Sequence, residues 1–277
     1  MSQSESESVA ALSERKEKWT SGDAYELWMG RWSRLLAGQF LDWLDVPAGA
    51  TWLDLCCGTG ILSQAIAERC RPAHVVGMDR AAALIDFARL YRARPEIEYQ
   101  VADAIALPAA DRSFDACVCG LGLNFIADSA KALGEMHRVT RPGGMIAGYV
   151  WEYSSQTRFL REFWDAAIAV DPEAAQHDQG RRFPICTSEG LRAAFTEAGL
   201  EGVAGRPLDI VTRFENFDDY WSPFLLGQGS GPTYLAARDE RTRCAIRERL
   251  RAALPVNPNG SIVLDARALA IRSLRPT

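Results

Sequence analysis

Residues 52–60 read WLDLCCGTG, an apolar run interrupted by Asp54 and followed by a turn punctuated by Gly58 and Gly60. Nucleotide-binding turns of this kind usually carry a glycine where this chain has Cys56, so the stretch raises the question of what its turn holds. Downstream, short apolar runs alternate with longer segments of helical period, the pattern of parallel strands joined by helices. Strands are expected at 51–55, 74–78, 97–101, 116–120 and 144–149, with helices near 62–69, 81–92 and 129–139. The last helix is closed by Arg141, Pro142, Gly143 and Gly144, since proline cannot continue it and glycine supplies the turn.

Outside this core the rhythm changes. Residues 1–20 begin with a polar, charged stretch that has little to bury and is expected to be a disordered leader. From Asp23 to Leu44 apolar residues recur at helical spacing, read as two helices broken near Gly30. Beyond Trp151 come an aromatic helix at 156–170, a helix at 188–198, a strand at 203–213, a helical stretch at 217–254 interrupted by a GQGSGP loop at 227–232, and a final strand at 262–272. The organisation expected is one α/β domain over 21–277, with a core at 50–150 and substrate-covering insertions at about 151–186 and 214–260.

The 277 residues are 48% hydrophobic, enough for a sizeable core. With 31 basic against 36 acidic side chains the net charge is −5, which attracts neither nucleic acid nor an anionic membrane. Seven cysteines, odd in number and without a CxxC pair, fit free thiols in a reducing cytoplasm. No apolar run is long enough to span a bilayer. A soluble cytoplasmic protein acting on a small molecule is expected, as monomer or homodimer and without a metal.

The turn follows the first strand, at the crevice where open parallel sheets bind ligands. A dinucleotide enzyme wants a further glycine where this chain has Ser63, and a pyrophosphate would be repelled by Asp54. A cationic ligand would be attracted. Asp79 ends the second strand in VVGMD, where a carboxylate can take both hydroxyls of a ribose, and Asp103 follows the third in VADAIALP. Each alone reads as a solvated turn aspartate; together, at three successive strand ends, they form a rim.

In these residues and the segments around them, the chain resembles the class I S-adenosylmethionine-dependent methyltransferases, in their ubiquinone/menaquinone-biosynthesis branch. LDLCCGTG, GMD, VADAIALPAADRSFDACVCGLGLNF and ALGEMHRVTRPGG carry the resemblance, over residues 53–144. It implies a Rossmann-like seven-stranded, mostly parallel sheet with helices on both faces and an antiparallel last strand, plus N-terminal helices and a helical lid. It implies S-adenosyl-L-methionine as cofactor, with Asp54 orienting the methionine end and Cys56, Gly58 and Gly60 passing close to it. Asp79 and Arg80 would lie at the ribose, Asp103 and Ala104 at the adenine, and the backbone of Gly120 at the ammonium. Tyr25 and Arg31, in YELWMGRW, match residues that close the site in some relatives, Arg31 being equally a surface arginine. The branch tolerates cysteine at position 56, and no basic neighbour would activate that thiol, so Cys56 reads as a packing residue.

The reaction implied is in-line methyl transfer to carbon or oxygen of a small apolar or aromatic metabolite, the alternative being a non-methylating rearrangement or cyclisation in the same fold. A nicotinamide-dependent oxidoreductase is disfavoured by Ser63 and Asp103. His74 and His137 read as structural, which leaves His177 as a weak candidate for a general base. The aromatic residues of the insertions are expected to line an apolar acceptor pocket, and the GQGSGP loop to act as its lid.

Overall fold

The computed structural model describes residues 19–276. Its sheet holds β1 (Thr51–Leu55), β2 (His74–Asp79), β3 (Ile97–Val101), β4 (Phe114–Gly120), β5 (Thr140–Trp151), β6 (Glu201–Phe214) and β7 (Ile262–Leu274), in the order β3-β2-β1-β4-β5-β7-β6. β7 runs antiparallel to both its neighbours and the first five strands are parallel. The central strands are covered on both faces, which is why β1 and β4 read as apolar on both faces apart from Asp54 in one and Asp115 near the start of the other. β6 instead alternates: Leu208, Ile210, Thr212 and Phe214 point inward and Asp209, Val211 and Arg213 outward, as suits an edge strand. Pro207, which cannot donate to a ladder, is tolerated there.

The chain leaves β1 toward β2 on one side and enters β4 on the other, so the strand order reverses beside β1 and a crevice opens at the strand ends. Register brings the rim together: Asp54 pairs with Gly77, and Asp79 with Val101, so the carboxyl ends of β1, β2 and β3 lie side by side.

Several boundaries differ from the sequence reading. Residues 1–18 of the expected leader lie outside the described residues, whereas Trp19 and Thr20 pack on the domain. No break occurs at Gly30: Gly22–Tyr25 is α-helical, Glu26–Gly30 is a π turn, and Arg31–Leu44 continues as α-helix. Gly30 keeps helical angles (φ −56°, ψ −41°), and the irregularity takes the form of an inserted residue, a device frequent at functional sites. In GQGSGP only Gly227–Gly229 is loop; Ser230 already starts the helix Ser230–Ala236. Among the described residues no helix is long and apolar enough to cross a membrane.

The insertions form a helical layer over the crevice. Phe159, Phe163 and Ala167, spaced by four, are buried on one face of the helix Arg158–Val170. Phe163 stacks on Phe224 with ring centroids 4.3 Å apart, and Phe224 meets Trp28 edge-on at 4.6 Å, tying the insertions to the N-terminal helix. At the other end of that helix Arg272 of β7 donates to the carbonyl of Trp43 at 2.5 Å, with its guanidinium 4.8 Å above the Trp43 ring. It satisfies a last-turn carbonyl that would otherwise be unpaired. Arg272→Met, which keeps the stem but loses these bonds, is expected to lower the unfolding free energy by about 1.5–3 kcal/mol in urea titration.

Candidate functional site

A cavity of about 310 Å³ opens at the reversal point, and its walls are of two kinds. One end is the rim: Cys56, Gly58, Asp79, Arg80, Asp103, Ala104 and Gly120 line it, together with Tyr25. The other is aromatic, with Trp19, Trp28, Phe125, Trp151 and Tyr153, the only polar additions among the described residues there being Gln179 and Ser230.

The acids are held differently. Asp54 is 1% exposed; Ser63 donates to its Oδ2 at 2.6 Å, and its Oδ1 has no partner among the described residues. It borders a smaller adjoining cavity that shares Tyr25, Cys56, Gly120 and Leu121 with the main one. Burial pushes its pKa up to about 7, only partly offset by Ser63, with the charge of Asp79 adding to the rise. Asp79 takes the backbone N–H of Ala81 on Oδ1 at 2.8 Å and that of Gly58 on Oδ2 at 2.9 Å, which leaves lone pairs on both oxygens. Burial raises its pKa too, against those two bonds and Arg80. Asp103 is more exposed and accepts from the amide of Ile105 at 3.1 Å. The orphaned, half-charged Asp54 oxygen and the unfilled acceptor capacity of Asp79 fit a cationic nucleoside, the chemistry of S-adenosylmethionine.

The two glycines part company. Gly58 (φ +55°) lines the cavity, and a Cβ built there would touch nothing within 4 Å, which leaves its backbone open to a ligand. Gly60 (φ +82°) does not line it; a Cβ there would lie 2.5 Å from the Tyr99 hydroxyl, so this glycine serves the packing of the turn against β3. Cys56 occupies the left-handed region at φ +56°, which costs a non-glycine residue about 1–2 kcal/mol. Its room comes from Gly122, where a Cβ would sit 2.4 Å from the Cys56 Cβ. The neighbouring Cys119 thiol, followed by burial, holds the Cys56 thiol well above its ordinary pKa, so it stays protonated and unreactive.

Besides Asp54 and Gly60, two more expected members are absent from the main cavity. The Arg31 guanidinium is taken by Asp219, at 3.0 and 3.1 Å, and lies over the rings of Trp32 and Phe214. Its carboxylate partner therefore belongs to this chain. His177 ends the turn Pro172–Gln176 and packs beside Tyr234, with ring centroids 5.3 Å apart, away from the cavity lining. It is not among the residues that line the cavity.

Sequence reasoning missed the residues that close the site. Glu26, in the π turn, accepts from the Thr59 hydroxyl at 2.6 Å and from Arg92 at 2.7 Å, and pairs with Arg34. Arg92 also donates to the Thr59 carbonyl at 2.7 Å, so the N-terminal segment carrying Tyr25 and Trp28 is fastened to the glycine turn. Gln228 accepts from the Thr20 amide and donates to its hydroxyl, both at 3.0 Å, which joins the N-terminal segment to the 227–229 loop beside the cavity-lining Trp19 and Gly229. At Gly229 a Cβ would approach Trp28 and Trp19 to 3.2 and 3.3 Å.

The comparisons agree with this geometry. Residues 53–148 match the model of a methyltransferase domain. The 2-phytyl-1,4-naphtoquinone methyltransferase of Thermosynechococcus vestitus is 38% identical over 181 residues, which cover 61% of this chain and 80% of that protein. A solved structure of a putative methyltransferase from Bacillus halodurans superposes with a TM-score of 0.58 at 15% identity, over 87% of this chain and 99% of the other. The phosphoethanolamine N-methyltransferase 2 of Haemonchus contortus, in complex with S-adenosyl-L-methionine, gives 0.57 at 16% identity, over 92% and 57%.

Gly122→Ala is expected to destabilise the fold by about 1–3 kcal/mol through overpacking against Cys56. Adding Cys56→Gly should recover most of that loss, and a double-mutant cycle by chemical denaturation should show a coupling above about 0.5 kcal/mol; additive effects would refute the pairing.

Proposed function

Because the chain belongs to the class I S-adenosylmethionine-dependent methyltransferases, close to their ubiquinone/menaquinone-biosynthesis branch, we propose that it methylates carbon or oxygen of a small, planar, largely apolar aromatic metabolite. The observation that carries this acceptor class is the division of one cavity into a carboxylate rim and an aromatic end. The naphthoquinone in the name of the Thermosynechococcus relative is a flat ring system of this kind and supports the reading.

In this reading Asp79 holds the ribose hydroxyls with the lone pairs its two backbone bonds leave free. Asp103 and the backbone of Ala104 take the adenine. Asp54 faces the methionine ammonium from below Cys56, beside the carbonyl of Gly120, and Gly58 lets the backbone come close. Bound here, the cofactor supplies a methyl carbon made electrophilic by a positive sulfur. Trp19, Trp28, Phe125 and Trp151 position the acceptor and exclude water, and alignment of this kind lowers a barrier by about 7–11 kcal/mol. The acceptor end offers no His, Asp or Glu among the described residues, so the acceptor relies on its own acidity and its proton passes to water.

Asp54 gives the reading a pH signature. A carboxyl with a pKa of about 7 is largely protonated at pH 6 and ionised at pH 8. Only the ionised form attracts a cation, so affinity for S-adenosylhomocysteine, which keeps the ammonium, is expected to rise across this range. Binding near pH 7 should release a fraction of a proton, read by calorimetry in buffers of different ionisation enthalpy. Asp54→Asn should weaken binding about 10–100-fold at pH 8 and abolish the proton release. Its effect on folding should have the opposite sign: a buried acid with a raised pKa costs stability as pH rises from about 4 to 7, so the variant should melt no lower than wild type at pH 8. Incubation with labelled cofactor and naphthalenediols tests the chemistry; S-adenosylhomocysteine and methylated product should form in equal amounts, and an altered acceptor that carries no label, with no S-adenosylhomocysteine formed, would refute methyl transfer.

A further inference from the structure

Gln179 is 4% exposed and borders the aromatic end of the cavity. The turn that carries it, Gln179–Arg182, is anchored by Asp178, whose carboxylate accepts from the Gly180 amide at 3.0 Å and from Arg161 at 2.8 Å. The indole N–H of Trp164 donates to the Gln179 Oε1 at 2.9 Å inside the core. An indole nitrogen can only donate, so this contact settles which way the amide faces: oxygen to Trp164, nitrogen away from it. The nitrogen has no partner among the described residues. It carries two donor hydrogens and no lone pair, in a pocket walled by Trp28, Phe125 and Trp151.

We propose that Gln179 is the specificity-determining residue of the acceptor end, its amide nitrogen donating to a carbonyl or phenolate oxygen on an aromatic ring held among those side chains. The inference rests on the reading that an acceptor occupies this end beside the cofactor, and it narrows that acceptor to a ring that offers an oxygen lone pair. A buried donor discriminates strongly, because a ligand presenting N–H in the same place leaves both donors unpaired. The charged form of such an oxygen gains most, since hydrogen bonds to ionised acceptors are the stronger ones. Rings bearing an amino group are rejected, although their flat faces pack equally well.

Calorimetric titration of the protein saturated with S-adenosylhomocysteine tests this, with 1-acetylnaphthalene, whose carbonyl can only accept, and 1-naphthylamine as probes at pH 8. Wild type should bind the ketone about tenfold more tightly than the amine. Gln179→Leu should bring the ratio near one with affinity for S-adenosylhomocysteine unchanged. Gln179→Glu, which keeps an oxygen for Trp164 and turns an acceptor toward the ligand, should reverse the preference, a result that a merely structural role would not produce. An equal ratio in wild type, a ratio untouched by Gln179→Leu, or failure of wild type to bind either probe overturns the proposal. Failure to bind S-adenosylhomocysteine overturns instead the reading on which it rests, so the two are told apart. Affinity for S-adenosylhomocysteine also reports folding of each variant, and should Gln179→Leu lose it, Gln179→Glu decides alone.

Discussion

A carboxylate shut away from water and satisfied on one side is costly unless a positive charge arrives to meet it, and Asp54 is in that position. Much of the surrounding architecture keeps it there. β1 delivers it between β2 and β4, Ser63 holds one oxygen, and Gly77 on β2 leaves room for the Tyr99 ring and for that serine, since a Cβ there would lie 2.7 Å from the ring and 3.0 Å from the Ser63 hydroxyl. Ser63 stands where a dinucleotide-binding turn wants glycine for close helix packing. Here the hydroxyl is the acid's only side-chain hydrogen-bond partner among the described residues, so the residue that argues against a pyrophosphate also keeps the acid in place. The turn in WLDLCCGTG is shaped around charge as much as around space.

The strand pattern and the acids at three strand ends were legible because both are local signals: an apolar run, its end, and the residue that follows. Ser63 and Asp54 are nine positions apart in sequence and share one turn. What stayed hidden depends on pairings across long separations. Arg31 looked available because its partner Asp219 lies 188 residues away, and Gln228 finds Thr20 across 208. Glu26 sat in plain view in YELWMGRW, but nothing local says that it reaches Thr59 and Arg92. Gly58 and Gly60 look alike in sequence and differ only in what faces them. Cys56 and Gly122 are two departures that explain one another: a side chain gained in one loop is matched by one absent from the next, and this complementarity was present in the text as CC and GLG, though no periodicity draws attention to it.

The division of the cavity also follows the chain. The rim, apart from Tyr25, is built by the segment that matches the methyltransferase-domain model, and the aromatic end mostly by segments outside it. Phe125 and the glycines at 120 and 122 belong to the first segment and sit where the two ends meet. The two walls are thereby carried on separable pieces of sequence, joined by packing between Trp28, Phe224 and Phe163.

The amide–hydroxyl clasp between Gln228 and Thr20 bears on the tempo of the protein. Two hydrogen bonds of this class are together worth about 1–3 kcal/mol net, a gap that thermal motion crosses readily. The Glu26–Arg92 fastening deeper in, with both side chains largely out of solvent, is the stiffer joint. Within the described residues the N-terminal segment is thus held more firmly where it grips the glycine turn than at Thr20. Parting of the Gln228–Thr20 clasp alone would leave the Glu26–Arg92 fastening, and the glycine turn it grips, in place.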